Sequence, residues 1–118
     1  MAIANAQIST LGTTPITVPS GESWAITNIM VCNTYSPLGA SPENESAYFD
    51  MHILKDNQPR DNQVTCVVRE MFLPAGETFT FDSEKIVLTE GCSIEFVGQP
   101  SIGANLTNLA VTVSYLEV

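Results

Sequence analysis

The chain has 118 residues, enough for one domain and too few for two, and its 44% apolar content sits at the globular norm. Thirteen acidic residues face four basic ones, for a net charge of −9. That balance leaves little with which to neutralise phosphates and repels anionic surfaces, so nucleic acid and membrane are set aside as partners.

Strand signals recur along the whole chain, and helical periodicity is nearly absent. Residues 3–11 form the first candidate, and the segment 1–11 reads as an N-terminal arm or an edge strand. Met1–Gln7 has no positive charge and no long apolar stretch, so it is not read as a secretory signal. Thr14–Val18 follows, closed by the turn-former Pro19-Ser20-Gly21. Ser23–Thr34 is long and β-branched but alternates imperfectly. Ser46–Lys55 alternates well, with Ala47, Phe49, Met51 and Ile53 on one face and Tyr48, Asp50 and His52 on the other. Gln63–Leu73, Thr78–Asp82, Lys85–Thr89, Ser93–Gly98 and Leu109–Val118 complete the set. Pro74-Ala75-Gly76 marks a turn, and Glu90-Gly91 fits a tight hairpin. The expected architecture is all-β: an antiparallel β-sandwich, jelly-roll-like, of eight or nine strands in a single domain over residues 1–118.

Val18-Pro-Ser-Gly-Glu-Ser-Trp24 echoes Leu73-Pro-Ala-Gly-Glu-Thr-Phe79. Both read apolar-Pro-small-Gly-Glu-hydroxyl-aromatic, as expected of equivalent corners of two sheets. Three loops are long: Tyr35–Glu45, Asp56–Asn62 and Gln99–Asn108. Loops concentrate binding contacts, and the first is long enough to act as one.

Little in the chain points to chemistry. The single histidine, His52, shares a strand face with Asp50 and reads as a polar, outward- or interface-facing residue. A small hydrolase built on His52 is the enzymatic alternative, but no nucleophile elbow, phosphate loop or metal-binding helix motif accompanies it. Glu43 with Glu45, and Asp82 with Glu84, lack the ligand spacing of a calcium loop. Cys32, Cys66 and Cys92 are odd in number and widely spaced, so all three read as reduced structural residues. The reading is non-enzymatic, with no catalytic, cofactor or metal-binding residue assigned.

Phe81-Asp-Ser-Glu-Lys-Ile-Val-Leu-Thr-Glu-Gly-Cys-Ser-Ile-Glu-Phe96 and the ending Leu109-Ala-Val-Thr-Val-Ser-Tyr-Leu-Glu-Val118 resemble small virion structural proteins of tailed bacteriophages, including marine cyanophages. In these a Pro-x-Gly-Glu turn, a Lys-Ile-x-Leu-x-x-Gly strand-turn and a C-terminal Val-Ser-Tyr-Leu-Glu strand occur together. The likeness covers about half the chain, chiefly its C-terminal part. It implies a capsid decoration or cement protein, made in the host cytoplasm and residing in the virion. Such a protein acts as a homotrimer on the major capsid protein or other virion proteins. The alternative is a tail fibre or adaptor module that binds a host receptor or glycan. Expected partner contacts are Ile3, Ile8 and Leu11 of the N-terminal segment and Tyr35, Leu38, Glu43 and Glu45 of the long loop.

Overall fold

The structure, a computed structural model, describes residues 2–8, 12–36, 38, 46–100 and 109–118. Within them the chain forms eight strands: β1 (Ala2–Ile8), β2 (Gly12–Thr17), β3 (Trp24–Asn33), β4 (Ala47–Leu54), β5 (Cys66–Leu73), β6 (Thr78–Leu88), β7 (Ser93–Pro100) and β8 (Leu109–Glu117). They make two four-stranded sheets, ordered β1-β8-β3-β6 and β2-β7-β4-β5, and every pairing is antiparallel. The sheets pack as a sandwich. Ile26, Ile29 and Val31 of β3, with Val111 and Val113 of β8, meet Phe49 and Met51 of β4 and Ile94 and Phe96 of β7. The Phe49 and Phe79 rings touch edge-on across the layers, 5.5 Å apart. At one end of the core Trp24 stacks on Tyr115 at 3.8 Å and donates its indole N–H to Glu22 Oε1.

The imperfect alternation of β3 has a structural cause. Trp24 and Ile26 point inward, but so do Ile29 and Val31, because the register shifts between Ile26 and Asn28. Thr27 is the extra residue against β8, and its hydroxyl donates to the Ser114 carbonyl at 3.1 Å. On the other side, residues 83–85 stand opposite Thr27 alone, since Ile26 pairs with Ile86 and Asn28 with Asp82. This bulge corrects the expectation of separate strands at Thr78–Asp82 and Lys85–Thr89. No Gly or Pro breaks the chain there, β3 offers partners on both sides, and the surplus residues are absorbed by a bulge within one strand.

The two Pro-x-Gly-Glu segments do occupy equivalent corners. Each carries the chain from the second sheet to the first, β2 to β3 and β5 to β6. In each the Glu N–H donates to the Pro carbonyl at 3.2 Å, and the glycine, Gly21 or Gly76, has φ near +80°. That is the pattern of a type II turn, which needs the left-handed conformation at its third residue. Glu90-Gly91 repeats the geometry, with Gly91 at φ 82°. It does not close the expected hairpin, because β6 and β7 lie in different sheets. The turn is a third corner, held by reciprocal hydrogen bonds of Val18 with Gly91 and Cys92.

Two of these glycines predict different costs. A Cβ at Gly21 meets nothing within 4 Å, whereas one at Gly91 would lie 2.5 Å from Asp56 Cγ. Gly21→Ala is expected to lose about 1 kcal/mol for the backbone alone, and Gly91→Ala clearly more. Paired urea melts of the two variants would show the order.

Candidate functional site

The expected contact residues do not form one patch. Ile3 is 62% exposed on the outer side of β1. Ile8, at the other end of the same strand, is 1% exposed and its side chain belongs to the core. The period-2 alternation of β1 and the sheet edge account for the split: Ile3, Asn5 and Gln7 face outward, while Ala4 and Ala6 pack inward toward Ile8. Tyr35 follows β3, is half-buried, and donates its backbone N–H to Asn33 Oδ1 at 3.1 Å. Leu38 is almost wholly exposed, and its N–H donates to Ser36 Oγ. Leu11, Glu43 and Glu45 lie outside the described residues.

Asn33 itself is fully buried and clamps the second corner. Its Nδ2 donates to the Leu73 carbonyl at 3.0 Å, its backbone N–H to the Glu77 carbonyl, and its carbonyl accepts from Gly76 N–H. The long loop therefore departs from a fixed point beside the Pro-x-Gly-Glu turn.

The outer face of the second sheet corrects the expectation for Asp50 and His52. Both were expected to point away from the core into polar surroundings. They do leave the core face, but Asp50 is 5% and His52 0% exposed, because β5 and the 55–65 segment fold over them. β5 bulges opposite Asp50: Phe49 pairs with Met71 and Met51 with Val68, leaving Arg69 and Glu70 against a single residue. The Asp50 carboxylate holds that bulge. Oδ1 accepts from Glu70 N–H at 2.6 Å and Oδ2 from Arg69 Nη1 at 2.8 Å. Glu70 sits at φ 48°, a left-handed conformation unusual for a residue with a side chain.

His52 anchors the neighbouring turn. Its Nδ1 lies 2.9 Å from Thr65 Oγ1. That hydroxyl already donates to the Asp61 carbonyl and accepts from Asp61 N–H, so its only proton is committed. Nδ1 is therefore the donor, and Nε2 is a buried acceptor with no partner among the described residues. Burial, then the Arg60 guanidinium, push the imidazole below its usual value, against a weaker pull from Asp50 and Glu95. The ring is enclosed and bonded to the turn that Thr65 and Asp61 form, which is a fastening role.

Because the folded pKa of His52 lies below 6.5, the unfolded chain takes up the proton first as the pH falls. The stability that neutral His52 contributes is present above pH 6.5 and is lost below it, levelling off at the folded pKa. Subtracting the unfolding free energies of His52→Gln from those of the native chain between pH 8 and 4.5 should isolate that slope. A difference independent of pH would contradict it.

Two further surface features stand out. Tyr48 and Phe72, paired across β4 and β5, are 39% and 49% exposed with their rings 5.1 Å apart. A groove of about 350 Å³ opens between the ends of β4 and β6, lined by Leu54, Val64, Thr65, Val87, Leu88 and Cys92. All three cysteines are unpaired thiols. Among the described residues no cluster of three His, Cys, Asp or Glu side chains is placed to hold a metal.

The role of Asp50 has no local signature, since nothing near it in the chain marks the bulge it holds on β5. The aromatic pair was half visible: Tyr48 stood on the outward face, but its partner Phe72 required the register. The chain matches no protein-family model, and no curated protein is similar to it.

Proposed function

We propose that the chain is a non-enzymatic structural protein of a tailed-phage virion, a decoration or cement protein that stabilises the capsid shell through strand and loop contacts. The observation that carries the reading is the strand order. β1 pairs with β8, β2 with β7, β3 with β6 and β4 with β5, so the chain is one long hairpin rolled over itself. We read that nesting as a jelly roll, an architecture recurrent in viral capsid domains and lectins. The corner at Leu73–Phe79, the Lys85–Gly91 strand-turn and the Val113–Glu117 end of β8 are the segments that resemble phage virion proteins. A homotrimer bound to the major capsid protein is what that resemblance implies. A surface at −9 suits a shell exterior that does not touch packaged DNA.

The test is loss and rescue in the phage that encodes the chain. Particles made without it should lose infectivity faster on heating or at low salt, and adding the purified protein to those particles should restore resistance. Particles equally robust without it, and unable to bind it, would refute the shell-stabilising role.

The second reading, a receptor- or glycan-binding module, is favoured by the exposed Tyr48–Phe72 pair, since paired rings offer apolar faces to a sugar. Binding on a glycan array that is lost in Tyr48→Ala and Phe72→Ala would select it; silence on the array would remove it.

A further inference from the structure

A sheet edge is a row of backbone groups ready to pair with another strand, and soluble proteins normally blunt it with proline, charge or a bulge. The sandwich has four edges: β1 and β6 in the first sheet, β2 and β5 in the second. Three carry such devices. β2 has Pro15, which lacks an N–H, in mid-strand. β5 has the Arg69–Glu70 bulge, with two charges and a left-handed residue. β6 has the bulge opposite Thr27 and the exposed Asp82.

β1 has none of these. Its seven residues, Ala-Ile-Ala-Asn-Ala-Gln-Ile, contain no charge and no proline, and they pair with β8 in unbroken register from Ala2↔Tyr115 to Ile8↔Leu109. Among the described residues no strand is hydrogen-bonded to its outer side, although Gln7 makes an interaction of its own. The adjoining outer face continues the same character through Ala110, Thr112 and Ser114 of β8.

We infer that β1 is a pairing edge and that its occupant is β1 of a second copy, joined antiparallel across a two-fold axis. The charge distribution selects that occupant. Two copies at −9 repel over most of their surfaces, and β1 is an edge where they can approach without bringing acidic groups together. The segment is also self-complementary. With Asn5 on the axis, Asn5 faces Asn5, Ala4 faces Ala6 and Ile3 faces Gln7, so small residues meet on the inner side and uncharged ones on the outer. A heterologous ring would need β1 to seat on one of the three blunted edges, whereas isologous pairing uses the open edge twice and closes. The result is a continuous eight-stranded sheet shared by two sandwiches. The inference does not depend on the particle reading, and a two-fold dimer would replace the homotrimer which that reading implies.

The experiment is the mass of the purified full chain in solution by light scattering, with charge-swap variants at the seam. Asn5 is exposed on the outer face, so Asn5→Lys and Asn5→Glu leave the core untouched. Native chain should have the mass of two copies. Each variant alone places like charges opposite each other and should associate about tenfold more weakly. Equal mixtures of the two should recover the dimer as a heterodimer. Asn5→Lys also lowers the net negative charge, so a purely global repulsion effect would make it associate more tightly, which would count against pairing at β1. Amide exchange on native protein supplies a readout without substitution: protection of residues 2–8 should rise with protein concentration. Native chain that stays monomeric, or variants that dimerise as the native chain does, would overturn the inference. A mass of three copies would overturn it as well, while leaving the homotrimer of the particle reading in place.

Discussion

Phe49→Ala is expected to cost about 3–5 kcal/mol of unfolding free energy, the largest loss from any substitution considered. Phe49 is 1% exposed on β4, in the interior of the second sheet, and its ring meets Phe79 of the first sheet. Truncation therefore removes a buried ring and also opens a void between layers that are held together there only by side chains. Phe79→Ala should cost less, because Phe79 is partly exposed on an edge strand. The double variant should lose less than the two singles combined, by about 0.5–1.5 kcal/mol, the coupling of an edge-to-face pair. Urea unfolding of the four chains measures the cycle. Strict additivity would mean that the rings do not meet across the sandwich.

Asp50→Ala should come next, at about 3 kcal/mol, because removing the buried carboxylate leaves the part-buried Glu70 N–H that holds the bulge unmatched and takes away the Arg69 partner. The decisive comparison is with Arg69→Ala. Arg69 is half-exposed and also reaches Glu70 Oε1 at 3.2 Å, so water can replace much of what it gives, and its loss should stay under about 1 kcal/mol. Glu70→Gly should be neutral or stabilising, since glycine accepts the φ of 48° without a steric cost. Asp50→Ala well above Arg69→Ala would assign the carboxylate to holding the backbone of the bulge. Equal losses would assign it to the ion pair instead.

How much of this was legible in the sequence depends on whether a feature is local. Type II corners are written in four residues, so Pro19-Ser20-Gly21 and Pro74-Ala75-Gly76 were readable, as was their equivalence. Strands with clean alternation, such as Leu109–Tyr115, showed their inner face directly. What depends on a partner strand was not readable. The bulge at Thr27 appeared only as a broken rhythm in β3, and the same bulge hid the continuity of β6. Glu90-Gly91 has the residues of a hairpin turn, and only the sheet order makes it a corner. His52 and Asp50 kept the predicted face, yet their burial depends on a segment that folds back from residues 55–65. For the site, the uncharged run Ala2–Ile8 was plain, but its meaning required seeing that the other three edges are blunted.

A chain that works as a component of a particle must be found in it, and its copy number in purified virions decides the matter. Heads and tails would be separated and the chain quantified in each by mass spectrometry against isotope-labelled standards. A decoration protein should be present in many copies per particle, confined to the head fraction and in fixed proportion to the major capsid protein. A few copies in the tail fraction would favour the receptor-binding module, and absence from the particle would contradict the virion role altogether.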